Sequence, residues 1–347
     1  MQAMTHQDLD GTIDAIPGER SRTMRAVVQR AYGSTETLKV DEVVRPAVEA
    51  GQVLVEVHAA GVDRGTWHLM TGKPYIMRVM GFGLTRPRNP TLGADVAGRV
   101  VAVGPGVDRF KVGDEVFGIA QGSFAEYAIA DGDKLAHKPA SISFEQAAVA
   151  SISGITALQA LTEVGKLEAG QHVLVIGASG GVGSFAVQIA KALGARVTGV
   201  ASGAKAQLVR SLGADTVIDY AQGDYLDGST RYDLIVDIGG GNPLRRLRAG
   251  LTKHGTLVMV GAEGGDRLTG GIGRQLGAVL MSPFVSQRMT MFINTEHYRF
   301  IETLAGFMER GEVRPAIGHR YQLDEVPAAI ADLVAGRAEG KSAILVR

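Results

Sequence analysis

The sequence predicts an α/β protein, in which a mostly β segment precedes a doubly wound unit with a parallel sheet. Three observations carry this expectation. Between residues 24 and 140 the apolar runs are short, valine-rich and bounded by glycine and proline. From about Phe144 onwards, strand-like runs alternate with helical patterns, which requires crossover connections and a parallel sheet. A glycine-rich turn joins the first of these strands to its helix.

Taken in order, the first 22 residues carry Asp8, Asp10, Asp14 and Glu19 and lack an apolar core. They read as a flexible extension (1–23) rather than a secretory signal, and their acidity fits a transit peptide poorly. Arg25–Gln29, Gln52–Ala59 and Ala97–Val103 read as strands, with turn clusters at Pro46, Gly51, Gly104-Pro105-Gly106 and Gly113-Asp114. Phe144–Glu163 has helical spacing, interrupted at Gly154. Strands follow at His172–Ile176, Arg196–Val200, Thr216–Asp219, Asp233–Asp237 and Thr256–Val260, with helices over Ser184–Leu193, Ala204–Leu212 and Pro243–Leu251. His254 falls in what reads as a hairpin-like turn. Arg288–Ile293 is a candidate sixth strand, Glu296–Arg310 and Glu325–Ala335 read as helices, and Ala343–Val346 as a closing strand.

Composition removes several classes of function. The chain of 347 residues has no cysteine, so a disulfide, a catalytic thiol, an iron–sulfur cluster and a thiolate zinc site are all excluded. Lys plus Arg and Asp plus Glu are both 36, so no net field draws it to nucleic acid or to an anionic membrane. No apolar stretch is long enough to span a bilayer. With neither a signal nor a span, the expected location is the cytoplasm. Glycine, 47 residues, is about twice its usual share, which fits many tight turns and close backbone approaches.

The strongest local signal runs from Val173 through Gly177, Gly180, Gly181 and Gly183 to Gly194. A buried strand enters a glycine turn that opens a helix, the arrangement that seats a pyrophosphate at a helix N-terminus in Rossmann folds. The spacing is Gly-x-x-Gly-x-x-Gly rather than Gly-x-Gly-x-x-Gly. The turn reads as a dinucleotide site, against the plainer alternative of helix-to-sheet packing. An NAD-preferring site would place a carboxylate about 20 residues further on. Here the second strand ends Val200-Ala201-Ser202-Gly203-Ala204-Lys205. Ser202 can donate to a 2′-phosphate and Lys205 can neutralise it, which points to NADPH, although Lys205 also reads as an ordinary helix lysine.

At this point the residues carry a family. Ala60-Gly61-Val62-Asp63, Pro90 to Gly98, Val103 to Val107, Phe110 to Phe117, Gly122 to Tyr127, Ser153 to Ala157, Gly177 to Gly183 and Leu212 to Asp215 occur in order. The chain resembles the medium-chain dehydrogenase/reductase superfamily, in its zinc-free quinone oxidoreductase and enone reductase branch, over Met24–Arg347. The resemblance implies a chaperonin-10-like (GroES-like) β domain over 24–148, completed by 299–347, and a Rossmann domain over 149–298. It also implies a nicotinamide cleft between them and a homodimer. Zinc members carry Cys and His where this chain has Asp63 and Ala94, so no metal is expected. By the same resemblance, Ser179, Gly180, Gly181 and Val182 match the pyrophosphate turn. Ser202, Lys205 and Tyr220 match the 2′-phosphate region. Thr156, Gly241, Gly261 and Ala262 approach the nicotinamide and its ribose, and Lys341 lies in a C-terminal Gly-Lys motif near the cofactor.

Without a Lewis acid, quinones and α,β-unsaturated carbonyls are the easier acceptors, because the developing charge delocalises. The expected activity is NADPH-dependent reduction of such a small molecule, with hydride chemistry supplied by the cofactor. Asp63, His68 and Tyr75 are the candidate catalytic residues, with Trp67 in the same wall. Asp63 reads either as a buried group hydrogen-bonding at the hydride site or as a turn cap. Tyr75–Asn89 reads equally as a lid or as a self-packed surface segment. Two alternatives stay open: a zinc-independent NADP-dependent alcohol or carbonyl dehydrogenase, and a non-catalytic NADPH-binding sensor.

Overall fold

The structure, a computed structural model, describes residues 23–261 and 265–347. The expectation of a flexible N-terminal extension, and Ala262, lie outside the described residues.

The first half is built from antiparallel strands. β1 (Thr23–Gln29) and β2 (Leu38–Val44) form a two-stranded ribbon. β3 (Gln52–Val62) leads into α1 (Arg64–Thr71). α1 ends on Gly72, whose left-handed φ of +60° suits a residue without a Cβ. β4 (Asp95–Val103), β5 (Glu115–Ile119), β6 (Tyr127–Asp131) and β7 (Leu135–His137) follow. Val53, Val55 and Val57 alternate inwards along β3, and Phe117, Phe124 and Leu135 are fully buried.

The helical stretch after these strands departs from expectation. α2 (Phe144–Ala148) starts in a capping box in which Ser143 and Gln146 satisfy each other's backbone N–H. The chain then breaks at Val149–Ala150, and α3 (Ser151–Gln159) runs straight through Gly154. Gly154 is an approach point instead: a Cβ there would lie 2.4 Å from Leu304.

The second half alternates as the sequence predicts: β8 (His172–Ile176), α4 (Gly181–Ala192), β9 (Arg196–Ala201), α5 (Ala206–Ser211), β10 (Thr216–Asp219), β11 (Tyr232–Asp237), α6 (Leu244–Ala249), β12 (Leu251–Met259), α7 (Ile272–Met281) and β13 (Arg288–Met291). The six strands are parallel, in the order β10-β9-β8-β11-β12-β13. This is the Rossmann order, whose direction reverses between β8 and β11. His254 is not in a hairpin. Tyr232 pairs with Leu251 and Leu234 with Thr256, so Thr252–Gly255 bulge out of a continuous β12.

α8 (Tyr298–Glu309), β14 (Ile317–Gln322), α9 (Val326–Val334) and β15 (Lys341–Leu345) complete the chain. β15 pairs antiparallel with β3, setting Ser342 opposite Val62, and β14 adds outside it. The larger sheet therefore runs β14-β15-β3-β4-β5-β7, with β6 also on β3. One core lies between the parallel sheet and α3, α4 and α8, around Phe185, Ile189 and Leu304, and another inside the antiparallel sheet. Among the described residues no helix is long and apolar enough to cross a membrane.

Candidate active site

Parallel sheets of this order bind ligands outside the carboxyl ends of the strands, where the strand order reverses. Here that point lies between the ends of β8 and β11. Gly177 leaves β8 with φ +88°, and a Cβ on it would come within 3.2 Å of the Gly239 amide that follows β11. Gly183 packs the first turn of α4 on the strand: a Cβ would lie 2.1 Å from the Gly177 carbonyl oxygen. Gly180 is the N-cap of α4, and among the described residues no side chain accepts from the first amides of the helix. The first amides of a helix have no partner within it, so this end presents N–H donors and the positive end of the dipole.

The C-terminal strand closes against this turn. The Gly340 N–H donates to the Ser179 carbonyl at 2.9 Å. A Cβ on Gly181 would come within 3.0 Å of the Lys341 side chain and 3.2 Å of Ser153 Oγ. The Lys341 ammonium is buried and donates to Asp95 Oδ2 and to Ser153 Oγ, both at 3.1 Å. Asp95 Oδ1 accepts the Ile152 N–H at 2.7 Å. Burial pushes the Asp95 carboxyl up to about 6, although the Lys341 ammonium pulls it down. Asp95 and Ser153 belong to motifs read in the sequence, but nothing there showed that Lys341 joins them.

Asp63 caps α1: its Oδ1 accepts from the Thr66 amide at 2.8 Å and from the Thr66 hydroxyl at 3.2 Å. Its Oδ2 is buried with no hydrogen-bond partner among the described residues. His68 holds its Nδ1 2.7 Å from the Lys73 carbonyl, which can only accept, so Nδ1 carries the proton. The ring lies edge-on to Trp67. Tyr75 is exposed, its ring under the Arg78 guanidinium at 4.8 Å. The Tyr75 and Ile76 amides donate to the carbonyls of Arg267 and Leu268, at 2.9 and 3.0 Å, so the two halves are joined there by backbone. Residues 78–82 form a π-helical turn exposing Val79 and Met80.

Thr156 is buried in α3. Ser202 precedes a short 3₁₀ turn after β9. The Lys205 ammonium donates to the carbonyls of Gly336 and Ala338, at 2.7 and 2.6 Å, which uses two of its three protons. Tyr220 is well exposed, its amide on the Ala201 carbonyl at 3.2 Å. Gly241 has φ +78° and open space around its Cβ position. The Gly261 amide donates to Asp237 O at 3.2 Å. A carboxylate unforeseen from the sequence stands against Gly203, the residue after Ser202: Asp219 Oδ2 would be 2.5 Å from a Cβ on Gly203. It closes β10, and only the pairing of β9 with β10 brings it there. A cavity of about 970 Å³ lined by Val44, Leu69, Phe82, Arg88, Ala94 and Tyr127 draws no lining residue from the second half, so it is not this crevice.

An antiparallel, GroES-like sheet set against a Rossmann sheet, with a glycine-lined helix start at the switch point, is the build of a nucleotide-dependent oxidoreductase. Residues 49–140 match the model of the alcohol dehydrogenase GroES-like domain, and residues 212–344 that of the zinc-binding dehydrogenases. The mitochondrial NAD(P)H oxidoreductase RTN4IP1 of Bos taurus is 34% identical over 94% of this chain and 90% of its own length. The quinone oxidoreductase of Rattus norvegicus is 32% identical over 90% of this chain and 94% of its own. The solved quinone oxidoreductase of Coxiella burnetii superposes with a TM-score of 0.82 at 28% identity, covering 94% of this chain and all of its own. The chain belongs to the medium-chain dehydrogenase/reductase family, whose oxidoreductases bind NAD(P)H.

Proposed function

We propose that this oxidoreductase uses NADPH to reduce a quinone or the activated C=C bond of an α,β-unsaturated carbonyl, without zinc. The observation that carries the cofactor reading is the α4 N-terminus, uncapped by side chains and lined by Gly180 and Gly181 where the strand order reverses. Its amides would hold the pyrophosphate, with Ser179 and Val182 in the same turn. The Ser202 hydroxyl and the remaining Lys205 proton would receive a 2′-phosphate, with Tyr220 alongside. Thr156, Gly241 and Gly261, joined in this proposal by Ala262, would border the nicotinamide and its ribose. Lys341 would act on the pyrophosphate through the turn it packs against.

When bound, NADPH supplies the hydride, and the protein supplies position and charge stabilisation. The acceptor's oxygen becomes an enolate or hydroquinone oxygen and needs a proton. The exposed Tyr75 phenol would supply it, or water would. His68 keeps one ring proton on the Lys73 carbonyl, which fixes its tautomer and orients the ring beside Trp67. The unpartnered Asp63 Oδ2 offers an acceptor for a ribose or substrate hydroxyl.

The zinc named in one family description finds no fitting donor set. The chain has no cysteine, and among the described residues no three His, Asp or Glu side chains converge. Asp95 is engaged by Lys341, and Asp63 by its own helix. Fewer than three protein ligands do not make a catalytic zinc site.

A second reading of the cofactor, NADH, is favoured by Asp219 against Gly203, since a carboxylate there would repel a 2′-phosphate. The test is oxidation of NADPH and NADH, followed by absorbance in the presence of chelator, with a quinone and a linear enone offered in parallel. Turnover with NADPH and either acceptor is the expected result. Saturable NADPH binding without turnover by either acceptor would overturn the reductase reading in favour of a carbonyl reductase or a sensor. The proposal extends to a homodimer through the free edge of β13, which ends the parallel sheet with Phe284 and Ile293 exposed beside it. Light scattering on the purified chain tests this, and a monomer at micromolar concentration would refute it.

A further inference from the structure

Arg274 lies in the first turn of α7, and its guanidinium reaches back beneath the ends of two neighbouring strands. Nη1 donates to Asp237 Oδ2 at 2.7 Å and to the Asn242 carbonyl at 3.0 Å, while Nη2 reaches the Gly261 carbonyl at 3.5 Å. Asp237 is the last residue of β11. Its side chain is wholly buried, and that of Arg274 is 19% exposed. The other carboxylate oxygen accepts the Gly240 amide at 3.2 Å. The Asp237 main-chain carbonyl accepts the amides of Val260 and Gly261, at 3.0 and 3.2 Å. One ion pair therefore fixes the loop leaving β11, at Gly240 and Asn242, and the loop leaving β12, at Gly261.

We propose that Arg274 and Asp237 are positioning residues that set the nicotinamide-side wall of the cleft. The inference rests on the proposed cofactor site, and three features beyond that reading support it. First, the buried Asp237 carboxylate needs a charged partner, and only Arg274 is paired with it among the described residues. Second, a guanidinium is a rigid fork of donors, so one group can hold a carboxylate and backbone carbonyls at fixed separations, whereas an ammonium is a point charge. Third, α7 is the helix that follows the loop whose Arg267 and Leu268 carbonyls accept from Tyr75 and Ile76. That loop is thus held at one end by the first half of the chain and at the other by Arg274.

The adenosine half of the site, at Ser202 after β9, lies on the other side of β8 from β11 and β12. The clamp should therefore act on the nicotinamide half alone, which separates positioning from general stability. The experiment measures dissociation constants of NADPH and of 2′,5′-ADP, which lacks the nicotinamide, for the full chain and for Arg274→Lys and Asp237→Asn. Arg274→Lys keeps the charge and loses the fork. Asp237→Asn keeps an acceptor for the Gly240 amide and loses the charge. Each is expected to weaken NADPH about tenfold and to leave 2′,5′-ADP unchanged, with a melting temperature within a few degrees of the parent. Equal weakening of both ligands, or of neither, would overturn the clamp. A parent chain that binds 2′,5′-ADP and NADPH as proposed, together with either of those variant results, would leave the cofactor reading standing. A parent chain that binds neither ligand would overturn the cofactor reading and the clamp with it.

Discussion

The Lys341 ammonium and the Asp95 carboxylate, 246 residues apart, meet at 3.1 Å with 2% and 0% of their side chains exposed. The pair joins the first residue of β15 to the first residue of β4, and α3 holds both, Lys341 through Ser153 Oγ and Asp95 through the Ile152 amide. It stands directly behind the turn that opens α4.

This pair gives a pH signature. Burial raises the folded Asp95 carboxyl from its ordinary 3.8 to about 6, so the folded chain keeps that proton to higher pH than the unfolded chain. The contribution of Asp95 to stability is most favourable below about pH 4 and declines as pH rises to about 6. Below that range Asp95 is neutral and needs no counter-charge; above it, Lys341 supplies one. Lys341→Met should therefore lose little at pH 5, with the loss growing by up to about 1.4 kcal/mol per pH unit above 6. Urea unfolding without cofactor at pH 5 and pH 8 checks this, and the same loss at both would contradict it.

Two glycines should respond oppositely to alanine. A Cβ on Gly183 would lie 2.1 Å from the Gly177 carbonyl oxygen and 2.8 Å from Ala178 Cα, both backbone. Gly183→Ala must move the turn, destabilising the chain by about 1–3 kcal/mol by overpacking and weakening nucleotide binding. Gly273, inside α7, has nothing within 4 Å of its Cβ position. Gly273→Ala should stabilise by about 0.5–1 kcal/mol, because it restricts the unfolded chain and suits the helix. Thermal melts and nucleotide titrations of both variants test the contrast.

These contrasts show what the sequence could convey. The strands from β8 to β13 were legible because they are short apolar runs between helical patterns, and β8 is buried along most of its length. The glycine turn was legible because strand, turn and helix are contiguous. β14 was not, since Ile317–Gln322 is an exposed edge strand without apolar alternation. Gly154 misled because a helix can keep a glycine for a neighbour such as Leu304, and local propensity does not see that neighbour. Arg274 and Asp237, like Lys341 and Asp95, are pairs made by topology, and neither partner's surroundings in the chain announce the other.

The proposed 2′-phosphate site makes cofactor choice a test of Lys205 and Asp219. Lys205 gives two protons to the carbonyls of Gly336 and Ala338, and Asp219 stands against Gly203. Lys205→Ala should raise the KM for NADPH about tenfold or more, from the loss of a charge-assisted contact, and leave NADH nearly unchanged. Asp219→Asn should shift the kcat/KM ratio towards NADPH by removing repulsion. Steady-state kinetics with both nucleotides decide this, and a Lys205→Ala variant with an unaltered ratio would remove Lys205 from the 2′-phosphate site.

Asp63 has one oxygen on its helix and one without a partner, so its two roles can be separated. Asp63→Asn keeps an Oδ1 that can accept from the Thr66 amide, so the cap of α1 survives. Asp63→Ala removes it, at about 1 kcal/mol for a helix N-cap. If Oδ2 serves only the fold, Asp63→Asn should match the parent in melting temperature and in kcat. The expected result is a parent-like melting temperature with kcat reduced about tenfold, because an amide nitrogen in place of Oδ2 would donate where the carboxylate is proposed to accept a ribose or substrate hydroxyl. Parent-like turnover in Asp63→Asn would reduce Asp63 to the cap of α1.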